Sequence, residues 1–124
     1  MLITGPLYGE DKLEAYVDAD VYVLPSRYET FPMTILEAVA CETPVILTEN
    51  CGIADYFRDK VGLVVKSNPN HLREALLEML LNQDRQNMFR KKCRTVIERF
   101  DISKTVSKLK EAYEEVAASS WLNI

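Results

Sequence analysis

The sequence predicts an α/β fold: a partial parallel sheet of about four strands with flanking helices, followed by a helical C-terminal tail. Up to about residue 67, short runs of β-branched and large apolar residues alternate with stretches of helical period, the pattern of repeated β-α units. From Asn68 onward the pattern is helical only. A length of 124 residues and a mass of 14.2 kDa suffice for one core and not two, so 1–124 is read as a single domain with 68–124 as the helical tail within it.

Strands are expected at residues 2–4, 21–24, 45–48 and 62–65, each bounded by Gly, Pro, Asp or Ser. Between them a helix over 11–17 would set Leu13, Tyr16 and Val17 on one face, a second helix covers 32–41, and a short third covers 53–57. In the tail, Asn68 and Pro69 make an N-cap and first-turn pair, and Leu72, Leu76, Leu77, Leu80 and Leu81 follow at helical spacing. A further helix is expected over about 84–99, and a last one from Asp101 or Ser103 that carries Val106, Leu109, Tyr113 and Val116. His71 opens the first tail helix and is expected to face solvent. A doubly wound sheet normally has about five or six strands. The missing strands are therefore expected upstream, in a longer parent or a partner chain.

Composition removes several classes of function. A formal net charge of -4, a pI near 5.0 and Lys and Arg interspersed with acids leave no clustered positive face for nucleic acid. The apolar runs fall far short of the ~20 residues that cross a bilayer, and the N-terminus has no leader-like pattern, so a cytoplasmic location is expected. Cys41, Cys51 and Cys93 show no C-x-x-C spacing, and a single histidine cannot build a multi-histidine metal site. Neither a metal nor a cofactor is expected.

The chemistry concentrates in the stretch from Pro25 to Ile46, PSRYETFPMTILEAVACETPVI. A buried strand ends at Pro25, a loop carries Glu29, and a helix begins near Thr30 to Pro32, which puts Glu29 at the carboxyl end of the sheet, where open α/β folds bind ligands. Pro32 suits an early helical position, and the following amides of Met33 and Thr34 would offer an anion site fit for a diphosphate. Glu37 sits among Ile35, Leu36, Ala38, Val39 and Ala40. A carboxylate in such company needs hydrogen-bond donors, which paired sugar hydroxyls would supply. On spacing alone an alternative stays open: Glu37 bridges to a neighbouring loop and Glu29 is plain surface charge.

The seven-residue gap between Glu29 and Glu37, with its flanks, resembles the E-x-x-x-x-x-x-x-E motif of the retaining glycosyltransferases of family four, the glycogen-synthase-like and mannosyltransferase-like group with the GT-B fold. Gly5 with the DKLEAYVDADV segment resembles that family's approach to the motif, and Cys51-Gly52-Ile53-Ala54-Asp55 its Gly-Gly-x-x-Glu loop. The segment from Val61 to Val65 resembles its closing strand, and Phe100-Asp101-Ile102 the Phe-Ser-Trp before the last helix. The resemblance implies a Rossmann-like, donor-binding C-terminal domain truncated on its N-terminal side. It implies that Glu29 is catalytic and contacts the donor sugar, that Glu37 takes the ribose hydroxyls, and that Phe31, Pro32, Met33 and Thr34 hold sugar and diphosphate. Gly5, Pro6 and Leu7 would lie near the base.

The implied reaction moves a hexose from a UDP-, GDP- or ADP-sugar to an acceptor hydroxyl with retention, and needs no metal. Pro32 and Glu42 stand where the family commonly has Gly, and at Glu42 a positive-φ turn is expected. The family's N-terminal domain, which binds the acceptor and supplies a catalytic histidine, has no counterpart in these residues, nor does its diphosphate-holding Arg/Lys pair; Arg27 and Lys66 are read as surface charge. Three readings follow: the donor half of an enzyme peripheral to the inner membrane face, a non-catalytic nucleotide-sugar binder, and an assembly fragment that self-associates through an exposed sheet edge. A nucleotide-sugar 2-epimerase is a weaker enzyme alternative, because the spaced Glu pair is not its signature.

Overall fold

A computed structural model of the chain describes residues 1–119; the last residues of the expected tail, 120–124, lie outside the described ones. The order is α1 (Gly9–Asp18), β1 (Tyr22–Leu24), α2 (Met33–Ala40), β2 (Val45–Thr48), α3 (Ala54–Phe57), β3 (Gly62–Val65), α4 (Pro69–Leu81), α5 (Gln83–Ile97), a 3₁₀ turn (Glu98–Phe100) and α6 (Ile102–Ala118). The three strands are parallel and lie side by side in chain order, with Val23 opposite Ile46 and Ile46 opposite Leu63.

The alternation of a strand distributes the core over both sheet faces. Tyr22, Leu24, Val45, Leu47 and Val64 face one side and pack with Ile35 and Val39 of α2, Phe57 of α3, and Cys93 and Val96 of α5. Val23, Ile46, Leu63 and Val65 face the other and meet Ala75 and Met79 of α4 and Phe89 of α5. α5 therefore belongs to both cores, and the sheet is covered on each face as a parallel sheet requires. All four residues of β2 are buried. Each such Val, Ile or Leu is worth about 1.5–3 kcal/mol relative to exposure.

The expected strand at residues 2–4 is absent: Leu2 and Ile3 are 85% and 83% exposed and lie in no element. A sheet order explains this. Three adjacent parallel strands in chain order match the 4-5-6 half of the doubly wound order 3-2-1-4-5-6, where the preceding strand sits at the far edge, with two strands in between. Residues 2–4 thus have no neighbour to pair with. The sheet has three strands rather than about four, and the outer edge of β1 is unpaired among the described residues. Of the face expected on the first helix only Tyr16 is buried, against Tyr22 of β1; Leu13 and Val17 are exposed, since α1 packs mainly on α2 and its far side is uncovered among the described residues. His71 is exposed, as expected, and Asn68 caps α4 by accepting from the Asn70 amide at 2.8 Å. α6 contributes no buried residue, and no helix among the described residues is long and apolar enough to cross a membrane.

The turn from α2 into β2 has the expected positive φ, +60° at Glu42. The Thr43 amide donates to Ala38 O and the Glu42 amide to Val39 O, both at 3.0 Å, which is the paired bonding of a Schellman C-cap whose left-handed position usually belongs to Gly. Two substitutions test the backbone. Glu42→Gly should raise stability by about 0.5–1 kcal/mol by relieving left-handed strain. Gly62→Ala should lower it by at least about 2 kcal/mol, because a Cβ there would sit 1.8 Å from Val45 O. Urea unfolding midpoints measure both.

Candidate functional site

The carboxyl ends of β1 and β2 run into two loops that are stitched together. Glu29 and Cys51 form a parallel bridge: the Gly52 amide donates to Glu29 O at 2.8 Å and the Glu29 amide to Asn50 O at 3.3 Å. The approach is close enough that Gly52 is required, since a Cβ would stand 2.6 Å from Thr30 O. Below the loop, Thr48 is buried and its hydroxyl donates to Ser26 O. Glu29 is thereby fixed by backbone at the sheet end, partly exposed, with Oε1 accepting from the Thr30 amide at 2.9 Å.

The α2 helix starts at once after this loop. Pro32 is buried at the N-cap with φ -75° and ψ 113°, and no side chain caps the helix. The first amides, those of Met33 and Thr34, have no intrahelical acceptor by construction and carry the positive end of the helix dipole. Both side chains are exposed. Phe31 is turned elsewhere: its ring lies 6.2 Å from Phe100, which stacks on Phe57 at 5.5 Å and meets Tyr56 edge-on at 5.6 Å. This aromatic group ties the Glu29 loop to the start of α6, where Asp101 caps the helix by accepting from the Ser103 amide at 2.8 Å. Its bonds from Ser103 hold the Asp101 carboxyl below the usual range.

One turn into α2, Glu37 is 32% exposed and both its oxygens are engaged. Lys12 Nζ donates to Oε1 at 2.9 Å and the Tyr16 hydroxyl to Oε2 at 3.2 Å. Burial, then the neighbouring Tyr22 and the bond to Glu37, pushes the Tyr16 phenol up to about 12, so it remains a donor throughout the neutral range. The Tyr16 and Tyr22 rings meet edge-on at 5.5 Å, and the Tyr22 hydroxyl donates to Thr34 Oγ1 at 2.9 Å.

Gly5, Leu7, Lys12, Tyr16, Tyr22 and Thr34 are among the residues lining a groove of ≈ 500 Å³ between the N-terminal segment, α1 and the start of α2. Gly5 adopts φ +74°, which suits glycine, and Pro6 is exposed beside it. The groove brings together part of the expected base region and the start of the expected phosphate site. Arg27 and Lys66 line other hollows, of ≈ 230 Å³ and ≈ 430 Å³ on the α4 side. Sequence reasoning missed Lys12 and Tyr22. The four-residue spacing of Lys12 and Tyr16 on one helix was a usable signal, whereas the Tyr22 contact to Thr34 depends on how α2 returns over β1.

Burial raises the Cys51 thiol, and Glu29 adds to this against a lowering bond from Ile53, so the thiol beside the loop is a poor nucleophile at neutral pH. Among the described residues no three His, Cys, Asp or Glu side chains converge as a metal site.

The family model described as glycosyl transferases group 1 matches residues 1–96. An uncharacterized glycosyltransferase of Methanocaldococcus jannaschii is 33% identical over 97 residues, covering 77% of this chain and 28% of that protein. A D-inositol 3-phosphate glycosyltransferase of Saccharomonospora viridis is 31% identical over 116 residues, covering 92% of this chain and 27% of that one. Among solved structures, sucrose-phosphate synthase from Thermosynechococcus elongatus superposes with a TM-score of 0.77 at 28% identity, over 86% of this chain and 27% of its own. The chain thus spans little more than a quarter of the length of each.

The stitched loop makes a direct prediction. Gly52→Ala should displace the Glu29 loop, seen as large amide shifts at Glu29 and Thr30 in two-dimensional NMR, while β2 and β3 amides stay in place. Unchanged Glu29 and Thr30 shifts would mean that the contact is not tight in solution.

Proposed function

The chain belongs to the group 1 glycosyl transferases, and from that premise we propose that it is the donor-binding part of a retaining hexosyltransferase. In this reading a nucleotide-diphosphate sugar is the substrate and the hexose passes to an acceptor hydroxyl. One observation carries the proposal: Glu29, the free amides at the start of α2, and Glu37 succeed one another at the carboxyl end of the sheet. Each suits one part of such a donor. Glu29, partly exposed in the loop, would contact the sugar as the catalytic residue. The Met33 and Thr34 amides, with the Phe31–Pro32 backbone before them, suit the diphosphate. Glu37 suits the ribose hydroxyls, and the groove at Gly5 and Leu7, with Pro6 at its rim, suits the base. The helix-end amides meet the diphosphate charge in this reading, and no cofactor or metal takes part.

Turnover belongs to the longer protein in this proposal, since retaining transfer requires an acceptor-side domain to close over the sugar and exclude water. The chain alone would bind donor without turning it over. One observation favours a second reading, an assembly fragment: α6 leaves Ile102, Val106, Leu109, Tyr113 and Val116 exposed along its length.

Titration of the isotope-labelled chain with UDP-glucose, GDP-mannose and ADP-glucose at millimolar concentration tests the donor site. Saturable amide shifts at residues 29–37 and 5–7 are expected for one of them. Glu37→Ala should weaken that binding about tenfold or more with the remaining spectrum unchanged, and Glu29→Ala should alter the response to the sugar more than to the free nucleotide. A folded protein that shows concentration-dependent line broadening and no ligand response would favour assembly instead.

A further inference from the structure

We infer that Lys12 and Tyr16 are positioning residues that present Glu37 as a fixed acceptor for a vicinal diol, and so make the site selective for ribonucleotides over 2′-deoxyribonucleotides; this rests on the proposed donor site.

The inference begins with the acceptor capacity of Glu37. An ionised carboxylate has about four lone-pair positions, two on each oxygen. Lys12 occupies one on Oε1 and Tyr16 one on Oε2. One position therefore remains free on each oxygen, and the side chain keeps enough exposure to be reached. Two acceptor positions, one on each carboxylate oxygen, match two neighbouring hydroxyls, and a sugar that lacks one of them leaves an acceptor unused.

The clamp is itself anchored. Thr43 Oγ1 donates to Tyr16 O at 2.5 Å, and Arg90 Nη2 to Ala19 O at 2.8 Å, so the end of α1 is held by the α2–β2 turn and by α5. Tyr16 is buried, only 8% exposed, and cannot follow a wandering carboxylate. Lys12 and Tyr16 are one turn apart on α1 and grip Glu37 from the same side. The same network continues through Tyr22 to Thr34 at the start of α2, along the wall of the groove. Without Lys12, Glu37 would be free to turn its carboxylate to water, and the two open acceptor positions would lose their fixed direction.

The test compares each nucleoside diphosphate with its 2′-deoxy counterpart by NMR titration of the 124-residue chain, in wild type and in the Lys12→Met, Lys12→Arg, Tyr16→Phe and Glu37→Gln variants. Tyr16→Phe keeps the buried ring, so packing survives there. The wild type should prefer the ribonucleotide, and Glu37→Gln should abolish the preference. Lys12→Met and Tyr16→Phe should each reduce it by about three- to tenfold by weakening the ribonucleotide alone, and Lys12→Arg should restore part of it. If Glu37→Gln abolishes the preference while Lys12→Met and Tyr16→Phe keep it, or weaken both ligands equally, the positioning role is wrong and the donor site stands. If the wild type shows no preference or binds no nucleotide, the assignment of Glu37 to ribose falls, and this inference with it.

Discussion

A central strand buried on both faces is the constraint from which the rest follows. Val45, Ile46, Leu47 and Thr48 leave no solvent-facing side, so β2 is satisfied only with a parallel neighbour on each edge and helices above and below. Parallel pairing forces crossovers, and the crossovers are short: α2 returns over one face and α3 fills the next turn. With β1, β2 and β3 aligned in parallel, all three carboxyl ends fall at one end of the sheet. Close approach completes the arrangement. Gly62 lets β3 lie against the Val45 carbonyl, and Gly52 lets the β2 loop lie against Thr30.

That alignment makes one short stretch of sequence into a linear series of polar groups. Glu29 stands in the loop, the unpaired amides of α2 follow, and Glu37 comes a turn later. Each acidic group has a different setting. Glu29 is held by backbone on both sides, while Glu37 is held by side chains from another helix. The apolar surroundings of α2 make the second arrangement necessary, because a carboxylate among Ile35, Ala38 and Val39 needs donors, and α1 brings Lys12 and Tyr16. The ion pair is partly exposed, so its value lies more in direction than in stability.

The aromatic group of Phe31, Tyr56, Phe57 and Phe100 links this site to the final helix. Phe57 is wholly buried and gives the group a fixed base, against which Phe100 stacks at an interplanar angle of 9°. The loop that carries Glu29 therefore shares a contact surface with the chain reversal before α6. Beyond that reversal, α6 leaves Ile102, Val106, Leu109, Tyr113 and Val116 exposed among the described residues.

Much was legible in the sequence because it is a matter of local pattern. Strands at Val45–Thr48 and Gly62–Val65 follow from β-branched runs and the start of α4 from Asn68 and Pro69, whereas the left-handed turn at Glu42 was expected through the family resemblance, which has Gly there. The Glu29 and Glu37 spacing also marked the candidate site through its resemblance to the family motif, and one loop and about one helical turn separate the two acids. Pairing was not legible. Residues 2–4 have the composition of a strand, yet a strand exists only where another offers its edge, and in a sheet of order β1-β2-β3 none is beside them. Leu13 and Val17 keep helical period but lack a surface to cover. The Lys12 and Tyr16 bonds to Glu37 likewise join residues more than twenty positions apart. The sequence by itself determined the helices, the three strands that pair and which acids stand out, because backbone preference and apolar period act within a few residues; the tertiary structure alone decided that residues 2–4 stay unpaired and which side chains meet, because contact depends on how the helices settle on the sheet.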